Sequence, residues 1–182
     1  SNDDNVISAL AIDQRGSLKK MLAAAANKPA DETTIVDFKK AVSEELTKYA
    51  SAILLDPEYG LPAAKVRDPK SGLLLSYEKT GYDATEPGRF PDLIDNQSAL
   101  RIKNEGGDAV KFLLYIDPDE PDAINDRKYA FVERVGAEAK ANDLPLFLEL
   151  VSYDGKTNET GTAAWAKAKP EKVIKITKEF SK

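Results

Sequence analysis

Five short apolar runs recur along the chain, each leading into an acidic residue and a turn, with helix-like stretches between them. The runs are 6–13 (VISALAID), 51–60 (SAILLDPEYG), 72–83 (GLLLSYEKTGYD), 108–119 (DAVKFLLYIDPD) and 145–156 (PLFLELVSYDGK). Strands that are almost continuously apolar are buried on both faces, which is the mark of a parallel sheet covered by helices. The stretches between them have helical period. One covers 17–26 after Gly16. A second opens at Asp31 as N-cap and runs to 49, with Ile35, Phe38, Val42, Leu46 and Tyr49 repeating at three or four residues. A third covers 94–105 and is stopped by Gly106 and Gly107. A fourth covers 122–142, with Ala123, Tyr129, Val132, Val135 and Ala139 on one side. A fifth covers 169–182. No linker, low-complexity tract or repeat divides the chain, so residues 1–182 are expected to form a single domain.

Alternating strands and helices of this kind suit either an open doubly wound sheet or a closed (β/α)8 TIM barrel. The first strand is not followed by Gly-x-Gly-x-x-Gly, which weakens the dinucleotide-binding form of the open sheet. A barrel needs eight strands and typically about 250 residues. Five strands therefore predict the front portion of a barrel, covering roughly strands 1–5 of an incomplete one.

Composition narrows the chemistry. The chain has no Cys, which excludes disulfides, thiolate nucleophiles and Cys-based metal sites, and fits a cytoplasmic location. It has no His, the commonest transition-metal ligand and the side chain best suited to proton transfer at neutral pH. Any reaction must therefore use Asp, Glu, Lys, Arg, Tyr, Ser or Thr, with a hard cation on carboxylates still open. Lys and Arg number 26 against 31 Asp and Glu, a net charge of −5 that argues against a nucleic-acid partner. No apolar stretch approaches the ~20 residues of a membrane helix. The stretch SNDDNVISAL has no basic segment ahead of its apolar one, unlike a secretory signal.

In both architectures ligands bind at the carboxyl ends of the strands. Asp13 with Gln14 and Arg15, Asp56 with Glu58, Glu78 with Lys79, Asp117 and Asp154 all fall there. For most of these a turn or cap is the simpler explanation. Lys111 and Glu149 are different, because each lies inside a strand between apolar neighbours. Side chains alternate along a strand, so Lys111, Leu113 and Tyr115 share one face, and Val110, Phe112, Leu114 and Ile116 share the other. By the same rule Phe147, Glu149, Val151 and Tyr153 lie together. Both charges are thus expected to point away from the helix layer, into the barrel. An unpaired charge there costs several kcal/mol in about any dry setting, so each needs a partner or a wet cavity. Either Lys111 and Glu149 form a structural ion pair, or, with Asp13, they form a site. An acid, a lysine and a second acid at one mouth suit carbonyl chemistry by a lyase or isomerase.

The segments ISALAIDQRG, ILLDPEYGLPAA, LLLSYEKTGYD, GGDAVKFLLYID and LPLFLELVSYD resemble, in order and spacing, the tagatose 1,6-bisphosphate aldolases of Gram-positive bacteria. The resemblance implies the first half of a class I aldolase on a (β/α)8 barrel. Such an enzyme reversibly cleaves D-tagatose 1,6-bisphosphate to dihydroxyacetone phosphate and glyceraldehyde 3-phosphate, in lactose and galactose breakdown in the cytoplasm. It implies catalytic roles for three residues: Glu149 as proton shuttle, Lys111 as auxiliary lysine and Asp13 at the end of the first strand. It makes Gln14 a substrate contact. It implies no metal and no cofactor. The family's Schiff-base lysine lies on strand six and its phosphate-binding groups largely on strands seven and eight. None of these is within this sequence, so 1–182 alone is expected to be inactive. The implied partners are a phosphorylated ketose, further copies of the chain, and the remaining portion of the barrel. The alternative is a regulatory protein that keeps the pocket as a metabolite sensor and acts through a protein partner.

Overall fold

The computed structural model describes residues 5–157 and 161–181. Its elements, in chain order, are β1 (Ala9–Ala11), α1 (Gly16–Ala26), α2 (Glu32–Leu46) with a 3-10 turn (Thr47–Tyr49), β2 (Ala52–Leu55), α3 (Leu61–Ala64), β3 (Gly72–Ser76), α4 (Ala99–Asn104), β4 (Ala109–Ile116), α5 (Asp122–Ala141), β5 (Leu146–Ser152) and α6 (Ala163–Phe180). Each apolar run of the sequence supplies one strand.

The strands form one parallel sheet in the order β1-β2-β3-β4-β5. That order separates the two architectures. A doubly wound sheet reverses its strand order at a switch point, whereas a barrel adds strands strictly in sequence. The sheet is the half-barrel of strands one to five, with β1 and β5 at its edges.

Helices cover one face only. Ile53, Leu55, Leu73, Leu75, Val110, Phe112, Leu114 and Ile116 point to that face and pack with Ala63, Ile102, Val132, Val135 and Ile176 of the helices. The other face is the barrel interior, where Ala52, Leu54, Leu74, Ala109 and Phe147 form a separate, smaller cluster.

Several helix details differ from expectation. Asp31 does cap α2, accepting a hydrogen bond from the Thr34 amide at 2.8 Å. The buried face of α2, however, is Ile35, Lys39 and Ser43. Phe38 and Leu46 are exposed, and Tyr49 is 80% exposed. The helix is turned by about one residue from its apolar stripe because Lys39 and Ser43 both find partners below. The Ser43 hydroxyl donates to the Ala63 carbonyl at 2.8 Å, and Lys39 reaches Asp56. In α5, likewise, Asn125 and Lys128 are buried near the N-terminus while Ala123 is exposed. Helix α4 starts only at Ala99, where Ser98 caps it, and Ile94 belongs to the preceding loop. Helix α6 starts at Ala163 rather than at 169, because the Thr162 hydroxyl caps Trp165 and the helix runs on through Pro170. The expected end of that helix at Lys182 lies outside the described residues.

Candidate functional site

The polar site grows out of the strand register. Ala11, Leu54, Leu74 and Ala109 pair in sequence across β1 to β4 and form an apolar row on the interior face. Side chains on one face recur every second residue. The next interior positions along these strands are therefore Asp13, Asp56, Ser76 and Lys111. Ser76 and Lys111 are themselves register partners, and Lys111 pairs with Phe147. One step further come Glu78 and, opposite each other in register, Leu113 and Glu149. An apolar floor thus carries a layer of charges on its upper side.

Lys111 is the hub of that layer. Its Nζ donates to Asp13 Oδ2 at 2.8 Å and to Glu78 Oε1 at 2.9 Å, and lies 3.0 Å from Glu149 Oε2. The other Glu78 oxygen accepts the Leu113 amide at 3.1 Å, which ties that carboxylate to the strand carrying the lysine. Lys111 and Glu78 are buried, whereas the Glu149 side chain is 53% exposed. Burial works against the charge on Lys111, but Glu78 and Asp13 outweigh it and hold its pKa above the ordinary 10.5. For Glu78 the balance goes the other way: burial lifts its pKa above 4.5 in spite of Lys111. The lysine is therefore a fixed ammonium, and the most accessible acid touching it is Glu149.

A second layer of charge lies against the first. Lys39 is fully buried; its Nζ donates to the Ile12 carbonyl at 2.7 Å and bonds Asp56 Oδ1. Asp56 Oδ2 accepts the Tyr59 amide at 2.7 Å and lies 3.8 Å from Arg15 Nε. The tight turn after Asp56 depends on Gly60, where a Cβ would come 2.4 Å from the Asp56 carbonyl oxygen. Arg15 in turn donates through Nη2 to Ser76 Oγ at 2.9 Å and to the Glu78 carbonyl at 3.0 Å.

The site opens into a cavity of about 230 Å³ lined by Asp13, Gln14, Glu78, Lys111, Tyr115 and Glu149, among others. The structure thus brings Glu149 and Asp13 each into direct contact with Lys111, and places Gln14, which is exposed, on the rim. Lys111 and Glu149 do pair, as the structural alternative required, but within a group that also holds Asp13 and Glu78. On sequence alone Glu78, at the end of its apolar run, reads as a turn residue. The signal that marks it is the alternation already applied to Lys111: on β3 it puts Leu74, Ser76 and then Glu78 on the interior face. Lys39 carries no such signal, because it stands beside Lys40 in a charged stretch of helix. Tyr153 belongs to a different group: its hydroxyl donates to Glu120 Oε2 at 2.6 Å and accepts from Lys128 at 2.9 Å. Among the described residues no group of three or more His, Cys, Asp or Glu is arranged to hold a metal ion. No helix among them is long and apolar enough to cross a membrane.

Comparison with known proteins bears on this geometry. The profile of the DeoC/LacD family aldolases matches residues 7–182. The chain is 63% identical over its whole length to a tagatose 1,6-diphosphate aldolase of Listeria innocua, of which it covers 54%. It is 53% identical to one of Streptococcus pneumoniae, covering 100% of this chain and 56% of that protein. The chain therefore spans about half the length of the curated relatives it matches. A Schiff-base-forming fructose-1,6-bisphosphate aldolase superposes with a TM-score of 0.52 at 18% identity, over 86% of this chain and 57% of that one. A Corynebacterium glutamicum protein superposes with a TM-score of 0.58 at 19% identity, over 85% of this chain and 52% of that one.

Proposed function

The chain belongs to the DeoC/LacD family of aldolases, and from that membership we propose that the protein carrying it is a class I aldolase acting in the cytoplasm on a phosphorylated ketose. Its substrate is D-tagatose 1,6-bisphosphate, cleaved reversibly to dihydroxyacetone phosphate and D-glyceraldehyde 3-phosphate. The relatives at 53–63% identity that bear the name tagatose 1,6-diphosphate aldolase support this choice of substrate.

The observation that carries the reading is the state of Lys111. A lysine must be unprotonated to attack a carbonyl, and Lys111 is held as an ammonium by Asp13 and Glu78. It is therefore unsuited to be the imine-forming lysine and well suited to bias its neighbours. The attacking amine belongs to a lysine outside these residues, so 1–182 on its own is expected to show no turnover. Attack on the ketone gives a carbinolamine. Glu149, half-exposed at the cavity, gives a proton to the carbinolamine hydroxyl, which leaves as water when the iminium forms. Cleavage then breaks the bond between C3 and C4. The C4 hydroxyl proton passes to the carboxylate, the aldehyde departs, and the electron pair moves into the iminium as an enamine. Asp13 and Gln14 orient the substrate at the rim, and the Lys111 ammonium, 3.0 Å from Glu149 Oε2, holds that carboxyl in place at the cavity. Two or more copies of the chain associate in the active protein.

Borohydride trapping tests the reading. The full-length gene product carrying this sequence, incubated with dihydroxyacetone phosphate and borohydride, is expected to gain one reduced adduct, on a lysine other than Lys111. An unchanged intact mass overturns the imine mechanism, and an adduct on Lys111 overturns its auxiliary role.

A further inference from the structure

Asp13 and Glu78, the two carboxylates that hydrogen-bond to Lys111, are joined from behind by a continuous run of buried polar contacts. The peptide before Asp13 presents the Ile12 carbonyl to Lys39 at 2.7 Å. Lys39 bonds Asp56, and Asp56 faces Arg15 across 3.8 Å. Arg15 then grips the Glu78 carbonyl and the Ser76 hydroxyl. The side chains of Lys39 and Asp56 are fully buried, and neither residue lines the cavity.

We propose that Lys39 and Asp56 are positioning residues for the reaction, holding Asp13 and Glu78 at the spacing that fixes the Lys111 ammonium. The inference rests on the aldolase reading and deepens it.

First, the bonds fall on the backbone immediately next to the two carboxylates, Ile12 for one and Glu78 itself for the other, so a shift in the pair moves both. Second, β1 is a three-residue edge strand and β3 ends at Ser76. Asp13 and Glu78 thus lie beyond the parallel ladder; Glu78 still bridges Leu93 and the Ile12 amide still bonds the Leu54 carbonyl, and the side-chain contacts add a second hold on the same stretches of backbone. Third, two cations share one carboxylate in a dry layer beside the acid-rich layer around Lys111. A buried ion pair of this kind contributes little net stability compared with apolar side chains of the same size. It does fix geometry through the directional bonds of Lys39 to the Ile12 carbonyl and to Asp56, with Arg15 Nε facing Asp56 across 3.8 Å as a charge contact only. Burial also pulls the Lys39 pKa below the ordinary 10.5 despite Asp56, so this ammonium exists at a cost that a purely space-filling role does not require.

The test uses the full-length gene product carrying this sequence and the double variant Lys39→Met/Asp56→Asn, which removes both charges while keeping side-chain size. We expect it to fold, with kcat about ten- to a hundred-fold lower and KM for the bisphosphate within about two-fold, because displacing a supporting group by an ångström or less costs rate rather than binding. We also expect faster acetylation of Lys111, read by peptide mass spectrometry at alkaline pH. Ser76→Ala, which takes one bond from Arg15, gives the same changes on a smaller scale and serves if the double variant fails to fold. A folded variant with unchanged kcat and unchanged Lys111 labelling overturns the inference. A parent protein without turnover overturns the aldolase reading instead, and the labelling comparison then still decides whether Lys39 and Asp56 position the cluster.

Discussion

The ammonium of Lys111 lies 2.8 Å from the carboxylate of Asp13, a residue 98 positions earlier in the chain. The two belong to β4 and to the loop after β1, which do not pair. They meet only because the sheet curls and presents both to its concave face. Removing the cation leaves Asp13 and the buried Glu78 facing each other without compensation. Lys111→Met is therefore expected to cost about 3–5 kcal/mol of stability at neutral pH, the range for breaking a buried ion pair. Glu78 then takes up a proton readily, since burial already raises its pKa above 4.5. An acid whose folded pKa is raised destabilises the fold above that range and not below it. The deficit should therefore shrink as the pH falls toward 4.5. Urea denaturation at several pH values measures it; a deficit that is constant with pH would contradict the assignment.

Glu149 touches the same ammonium at 3.0 Å but is 53% exposed. Its ion pair is partly screened by water, so Glu149→Gln should change stability by no more than about 0.5 kcal/mol. In the full-length gene product the same change should lower kcat by about 10²–10⁴, the contribution of a positioned proton-transfer group. Thermal unfolding and steady-state turnover on one preparation check the two halves together.

At the far end of the sheet, Asp119 accepts from Lys172 and Lys175, both at 2.9 Å, and these hydrogen bonds bring its pKa down to about 2. An acid whose folded pKa is lowered stabilises the fold fully above its unfolded value, here 3.8, and loses that contribution as the pH falls toward 2. The parent protein should lose stability over this window more steeply than Asp119→Asn. Above pH 5 the two curves should run parallel, with a small offset because the site is open to water. A variant with an acid limb as steep as the parent's would rule out this pin between the β4–α5 loop and α6.

Strands β1 and β5 are the two edges of the sheet, and the interior face between them holds an apolar hollow of about 350 Å³ lined by Ile7, Ala11, Leu54, Leu74 and Phe147. Unpaired parallel edges beside exposed apolar surface invite pairing with another chain. Residues 1–182 expressed alone should self-associate at micromolar concentration. Sedimentation velocity across a concentration series would show it, and a single monomeric boundary at every concentration would contradict it.

The sequence by itself determined the layering. Runs such as AVKFLLYI read as strands because they are apolar on both faces, and alternation then put Phe112 and Leu114 under the helices and Lys111 on the opposite side. Local chemistry also determined the caps at Asp31 and the stop at Gly106, since each depends on neighbours within four residues. The tertiary structure alone decided which charges meet. The strand order, which distinguishes a half-barrel from a doubly wound sheet, is a relation between segments far apart in the chain. The burial of Lys39 against the apolar stripe of its own helix depends on Asp56 arriving beneath it, and the capture of Lys111 by Glu78 depends on β3 ending one turn of the pleat below. A side chain's period can be read from its neighbours, whereas its partner is fixed only when the sheet closes the distance between them.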